Sequence, residues 1–223
     1  MKECILYSFR RCPYAMRARW ALLCCNIKVI LREVDLKNKP SSLSDYSKKG
    51  TVPVLITNEG EVIDESLEIM LWAIKNYNDD NLEIKLPFEQ NSQVFKLIKE
   101  NDIEFKYHLD RYKYPNRYIE NSRYLHENKA RNFLLKWNYK IQQSHNKSSS
   151  NGWLLGDSES LADWALWPFV RQYSKVNPEK FNSDKNLEAL RSWLDYYINH
   201  KLFKTLMYKH TPWDINGSAI VYP

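Results

Sequence analysis

Over the first 76 residues, short runs of apolar and β-branched residues alternate with segments of helical character, which limits this part of the chain to a layered α/β arrangement. Ile5-Leu6-Tyr7-Ser8 reads as a strand, Pro13 to Cys25 as a helix and Val29-Ile30-Leu31-Arg32-Glu33-Val34 as a second strand, together a βαβ unit. The loop Lys37 to Ser42 leads into a weak short helix near Leu43 to Ser47. Val52-Pro53-Val54-Leu55-Ile56 and Glu61-Val62-Ile63 flank Asn58-Glu59-Gly60, a hairpin signal. Asp64-Glu65-Ser66 then precedes an amphipathic helix, Leu67 to Ile74, so the order reads βαβαββα.

From Asp79 the pattern changes. A polar linker, Asp79-Asp80-Asn81, runs to Pro87, and only helical segments follow: near Glu89 to Tyr112, Ser122 to Gln143, Leu161 to Lys175 and Leu187 to Met207. The expected division is a domain over 1–77 and an all-helical bundle over 88–223. Ser148-Ser149-Ser150-Asn151-Gly152 reads as a loop before Trp153-Leu154-Leu155-Gly156. Ser160-Leu161-Ala162-Asp163 resembles a capping box, with Asp163 where Glu is usual, and opens an apolar helix carrying Trp164, Leu166, Trp167 and Phe169. Pro168 inside that helix either bends it or marks the limit of its first turn.

Hydrophobic residues at 43% and eight tryptophans exclude a disordered chain, and a mean hydropathy of −0.61 with 27% charged residues argues against a membrane protein. Met1 to Tyr7 holds no apolar signal core, so a cytoplasmic protein is expected. The net charge of +6 is spread among 27 acidic residues, and the densest aromatic and basic stretch, Lys106 to Tyr114, also carries acidic and apolar residues at helical spacing. That pattern points to a helix face rather than a nucleic-acid surface, with a mild positive field favouring small anionic ligands.

All four cysteines, Cys4, Cys12, Cys24 and Cys25, fall in the first 25 residues. They form neither a disulfide framework nor a zinc half-site, and no metal is expected. Cys12 stands apart. Pro13 suits a first helical position and is followed by the helix formers Ala15 to Leu23, which makes Cys12 the N-cap. Unpaired amides and the helix dipole stabilise a thiolate there, and Arg10, Arg11 and Arg17 add positive field. Thiols in such places have pKa values lowered to about 3.5–7.5. Ala15 stands where a second cysteine would complete Cys-x-x-Cys, which leaves monothiol chemistry. Cys24 and Cys25 sit more than three turns away and are read as packing residues.

Three further features accompany Cys12. A cis Val52-Pro53 peptide would turn the backbone of Val52 toward the cysteine for strand-like pairing with an extended peptide. Glu65-Ser66 at a helix start offers donors to an α-carboxylate and an acid to an α-ammonium, although simple capping by Asp64 or Ser66 explains those residues equally well. Lys37 and Lys39 are within reach of a second carboxylate. A thiol reagent, a peptide-pairing edge and an amino-acid clamp together suit glutathione.

At these residues the chain resembles the cytosolic glutathione transferases, and among them the omega-like group marked by Cys-Pro-aromatic-Ala. The resemblance spans nearly the whole chain, including Leu154-Leu155-Gly156 and Ser160 to Asp163. It implies a thioredoxin-like βαβαββα domain followed by a helical bundle, with glutathione as co-substrate and no metal. It also implies a homodimer that acts on a small disulfide or electrophile, without nucleic acid or membrane partners. Residue by residue it implies Cys12 as the catalytic thiol and Val52 with Pro53 as the backbone partner of the cysteinyl unit. Glu65 and Ser66 become the γ-glutamyl clamp, with Lys39 near the glycine carboxylate and Leu36 among the glutathione-binding positions. Phe9 and Tyr14 are expected to line an acceptor pocket between the domains, where Tyr107, Tyr112 and Trp167 are better read as core. The implied activity is thiol transfer or reduction, of the dehydroascorbate-reductase or thioltransferase kind. Two readings remain beside it: conjugation of glutathione to electrophiles through Tyr7 or Ser8, and a non-catalytic interaction module.

Overall fold

The computed structural model describes residues 3–77, 91–119, 122–145 and 152–222. The linker at Asp79 to Asn81, Pro87, the helix start at Glu89 and the Ser148 to Asn151 loop lie outside them. Two units are present, one of residues 3–77 with 200–222 and one of residues 91–199.

The first unit is the expected βαβαββα layer. It runs β1 (Ile5–Ser8), α1 (Pro13–Cys24), β2 (Val29–Glu33), α2 (Ser41–Tyr46), β3 (Val54–Ile56), β4 (Val62–Ile63) and α3 (Ser66–Lys75). β1 and β2 are parallel, with Ile5 opposite Ile30, while β3 runs antiparallel to β1 and β4 antiparallel to β3. The hairpin turn closes on Thr57, whose N–H donates to Glu61 at 2.9 Å, and Gly60 takes the positive φ of 90° that the turn requires. Helix α1 is buried from Ala15 to Leu23 and packs on α3, so its apolar faces leave few positions for charge.

The expected boundary at 88–223 is corrected at its C-terminal end. The helix read as Leu187 to Met207 breaks at His200, whose extended backbone and Nδ1 cap a new short helix, giving α9 (Glu188–Asn199) and α10 (Lys201–Leu206). α10 packs on α1, and a fifth strand, β5 (Ile220–Tyr222), pairs antiparallel with β2, so the sheet order is β4-β3-β1-β2-β5. Neither glycine nor proline marks the break at His200. A three-residue strand is also too short to carry a period of its own.

The second unit contains α4 (Asn91–Glu100), a π-helical turn (Asn101–Phe105), α5 (Lys106–Lys113), α6 (Arg123–His145), α7 (Leu161–Ser174), α8 (Pro178–Ser183) and α9. The short α8 escaped the sequence reading, although Pro178 at its first position and Asn177 accepting from the Lys180 N–H at 3.0 Å are ordinary start signals. Pro168 lies within a continuous α7. Trp167 is fully buried and stacks on Tyr197 with centroids 5.2 Å apart, and Tyr112 is buried too, so both are core residues. No helix among the described residues is long and apolar enough to cross a membrane.

The capping box forms and does more than cap. Asp163, fully buried, accepts from the Ser160 N–H and hydroxyl through Oδ2, and from the Leu154 N–H and Trp193 indole, both at 2.9 Å, through Oδ1. One carboxylate thus ties the start of α7 to the preceding loop and to α9. Asp163→Ala leaves these donors buried without an acceptor and should cost about 3 kcal/mol or more, with Asp163→Asn losing less, as read by urea denaturation.

Nearby, burial pushes the Glu159 carboxyl up to about 7, although the Tyr197 hydroxyl, 2.5 Å away, favours the carboxylate. A folded-state value above the unfolded one means that the folded chain holds the extra proton between the two. The stabilising contribution is therefore full at acidic pH, below the ordinary Glu range, and is lost as pH rises through about 7. Glu159→Gln, permanently neutral, should raise Tm over the wild type at pH 8 and leave it nearly unchanged at pH 5 in thermal melts.

Candidate active site

Cys12 is the N-cap of α1, with Pro13 at the first helical position. Its N–H donates to the Phe9 carbonyl at 3.0 Å, and its own carbonyl accepts from Met16 at 2.8 Å, which fixes the turn. The thiol makes no capping bond to the helix. Its Sγ–H instead donates to the carbonyl oxygen of Val52 at 3.7 Å. The Val52-Pro53 peptide is cis, and strand pairing on β3 begins only at Val54, so Val52 stands outside the ladder. Cys12 and Phe9 rest against a cluster of Tyr7, Val34, Leu43, Val52, Val54 and Ile56, which seats the thiol on apolar side chains.

Glu65 and Ser66 begin α3 without capping it. Glu65 is the N-cap residue, Ser66 the first helical one, and the Glu65 side chain makes no capping hydrogen bond to the helix. Asp64 is engaged with the Ser47 hydroxyl at 2.9 Å. The buried Ser66 hydroxyl accepts from Arg17 Nε at 3.0 Å, which joins the second turn of α1 to the start of α3. Exposed Glu65 pairs with Lys49, whose pKa rises chiefly through that hydrogen bond, and Asp64 lies 3.5 Å from the same ammonium. Such exposed pairs orient side chains more than they stabilise the fold.

Lys39 Nζ donates to the Gly50 carbonyl at 2.9 Å, two residues before Val52. Leu36 is exposed just after β2. Tyr14 is half-buried with the Arg17 guanidinium 5.0 Å from its ring centroid, and Phe9 is half-buried with Arg11 at 5.6 Å. The hydroxyl alternatives are committed elsewhere: Tyr7, fully buried, donates to Ser42 Oγ at 2.9 Å and accepts from Arg32, and Ser8 is fully buried in β1.

Among the other thiols, burial pushes Cys25 up to about 12 and also raises Cys4, so both are held as inert thiols. Cys24 ends α1, twelve residues and about 18 Å along the axis from Cys12, far beyond disulfide reach. No cluster of three or more metal-ligating side chains occurs among the described residues.

Sequence reading took Arg17 only as nearby field and did not single out Lys49, Arg19 or Glu33. Arg17 and Arg19 did carry a signal, since two arginines inside an otherwise apolar helix must either be paired or be buried for a reason.

The family described as "Glutathione S-transferase, N-terminal domain" matches residues 6–81, and "Glutathione S-transferase, C-terminal domain" matches 129–195. The chain belongs to the cytosolic glutathione S-transferase superfamily. It is 26% identical over 167 residues to glutathione S-transferase omega-1 of Mus musculus, a match covering 75% of this chain and 65% of that protein. The chain thus spans just under two thirds of that relative, and its matches cover still less of the rat and pig omega-1 proteins.

In fold, this chain is similar to Ure2p in complex with glutathione (TM-score 0.78, 14% identity, 92% of this chain and 93% of that one). It is also similar to glutathione transferase Omega 3C from Trametes versicolor (TM-score 0.70, 20% identity, 90% and 82%).

Proposed function

We propose that this chain is a glutathione-dependent thiol transferase of the omega-like kind, with Cys12 as its nucleophile. The observation that carries this reading is the Cys12 thiol facing the Val52 carbonyl beside a strand end whose ladder has not begun. In this reading an extended glutathione pairs with the Val52 backbone and brings its sulfur to Cys12, while its γ-glutamyl carboxylate meets the first amides of α3 and Ser66. Glu65 takes the α-ammonium, exchanging Lys49 for it, and Lys39 and Leu36 flank the glycine end. Phe9 and Tyr14 lie on either side of the thiol in sequence and supply apolar surface to the second substrate.

The cycle balances with sulfur exchange alone. Cys12 thiolate attacks the glutathione sulfur of a mixed disulfide, forms Cys12-S-S-glutathione and expels the substrate thiolate, which takes a proton. A second glutathione, as thiolate, attacks the glutathione sulfur of that intermediate, releases glutathione disulfide and restores the Cys12 thiolate. Ala15 at the third position after Cys12 leaves no neighbouring thiol to intercept the intermediate, and Cys24 is too far along α1 to do so. Conjugation by a hydroxyl is less well supported, because Tyr7 is engaged by Ser42 and Arg32 and Ser8 is buried.

Exposure of reduced protein to glutathione disulfide should add one glutathione, located by mass spectrometry on the Cys12 peptide. Cys12→Ser should reduce a glutathione mixed disulfide no faster than the uncatalysed background. A Cys12 that stays unmodified overturns the cycle, and Cys12→Ser protein that retains or improves conjugation of an aromatic halide favours the conjugation reading.

A further inference from the structure

Helix α1 buries two arginines, Arg17 at 2% exposure and Arg19 at 0%. Arg17 is accounted for by Ser66. Arg19 has no such explanation, and a guanidinium removed from water costs several kcal/mol unless its charge is used. Arg19 lies seven residues after Cys12, two helical turns on and along the same side of α1. Side chains on a helix lean toward its N-terminus. Arg19 does so fully: its Nη2 donates at 2.9 Å to the carbonyl of Arg10, two residues before Cys12. The guanidinium therefore lies beneath the turn that presents the thiol.

Nε and Nη1 of Arg19 have no hydrogen-bond partner among the described residues, and neither has Oε2 of Glu33. Burial works against the Arg19 charge, while Tyr222, Glu33 and Cys12 favour it and Arg10 opposes it. Burial also pushes Glu33 up, while the Arg10 N–H, donating to its Oε1 at 2.7 Å, and the charges of Arg19 and Arg10 favour its carboxylate. Tyr222 sets its ring 5.9 Å from the guanidinium, and the His210 imidazole is shifted down, first by burial and then by Arg19. From α3 and its approach the charged groups are Asp64, Glu65 and Lys49, which pair with one another at the surface, and Arg32 on β2 is held by Tyr7. On α1 and its approach the buried Arg17, donating to Ser66, joins the exposed Arg11 and half-buried Arg10 among the described residues.

We infer that Arg19 is the buried positive charge that holds Cys12 as its thiolate, and that the C-terminal segment acts on the same thiol by holding Arg19 in place. This rests on Cys12 being the nucleophile. A charge in the low-dielectric interior acts on a neighbour far more strongly than one in water and is little screened by salt. The C-terminal segment contributes at three points: the Met207 carbonyl accepts from Arg10 Nη1 at 3.2 Å, the Trp213 N–H donates to the Glu33 carbonyl at 2.7 Å, and β5 carries Tyr222 against the guanidinium. Arg19 is a positioning and electrostatic residue, since it need not touch the substrate.

The test is the pH dependence of Cys12 alkylation by iodoacetamide, followed on the Cys12 peptide by mass spectrometry, in wild type, Arg19→Gln and Arg19→Lys. The wild-type rate should titrate with a midpoint below about 7.5. Arg19→Gln, which keeps a donor for the Arg10 carbonyl, should move the midpoint up by about one unit or more, and Arg19→Lys should return most of the shift. A wild type that titrates low while Arg19→Gln titrates at the same pH overturns the role of Arg19 and leaves Cys12 as nucleophile. A wild-type Cys12 that behaves as an ordinary thiol, with a midpoint near about 8.5, removes the reading on which the inference rests.

Should Arg19→Gln not fold, the wild type under salt decides. A midpoint that moves by less than about 0.2 unit between about 0.05 and 1 M KCl supports a buried charge. A rise of about half a unit or more assigns the effect to the surface arginines and overturns the inference.

Discussion

The burial of α1 is the constraint on which the first unit depends. From Ala15 to Leu23 the helix is covered, with α3 and α10 packed against it, so its axis has almost no freedom to shift. Whatever stands at its N-terminus is held as firmly as the core. That residue is Cys12, and the thiol meets the Val52 carbonyl because α1 and the start of β3 share one apolar cluster. A thiol at the end of a buried helix is positioned by packing that its own side chain does not have to supply.

The same packing explains how the charges are arranged. Interior positions of α1 are expensive for arginine, yet two are present, and each reaches the edge of the layer: Arg17 to Ser66 on α3, Arg19 to the Arg10 carbonyl below Cys12. The acidic and basic groups on the opposite rim, Asp64, Glu65 and Lys49, are exposed and exchangeable. Buried charge is thus concentrated behind the thiol, and solvent-exposed charge is found where a zwitterionic ligand is proposed to bind. In the second unit one buried carboxylate, Asp163, plays the comparable organising part by serving donors from Leu154, Ser160 and Trp193.

Local signals were legible in the sequence and long-range ones were not. Cys12-Pro13, the Asn58-Glu59-Gly60 turn and the Ser160 to Asp163 box each declare themselves within four residues, because a cap or a turn is a contract between near neighbours. Val52 facing Cys12 depends on β3 lying beside β1, so it is expected only through the βαβαββα layout and not from the Val52-Pro53 dipeptide itself. β5 was missed because three residues carry no pattern and its partner strand lies about 190 residues earlier in the chain. The break at His200 was missed for a related reason: a side-chain nitrogen capping the next helix leaves no glycine or proline to read. The association of Arg19, Glu33 and Tyr222 depends on all of these, so it exists only at the level of the folded unit.

The central claim is that Cys12, the Val52 edge and the start of α3 form one binding surface for glutathione. Isothermal titration of reduced protein with reduced glutathione tests it most directly. The account predicts saturable binding of one glutathione per chain, and the absence of any binding heat up to millimolar glutathione would contradict it.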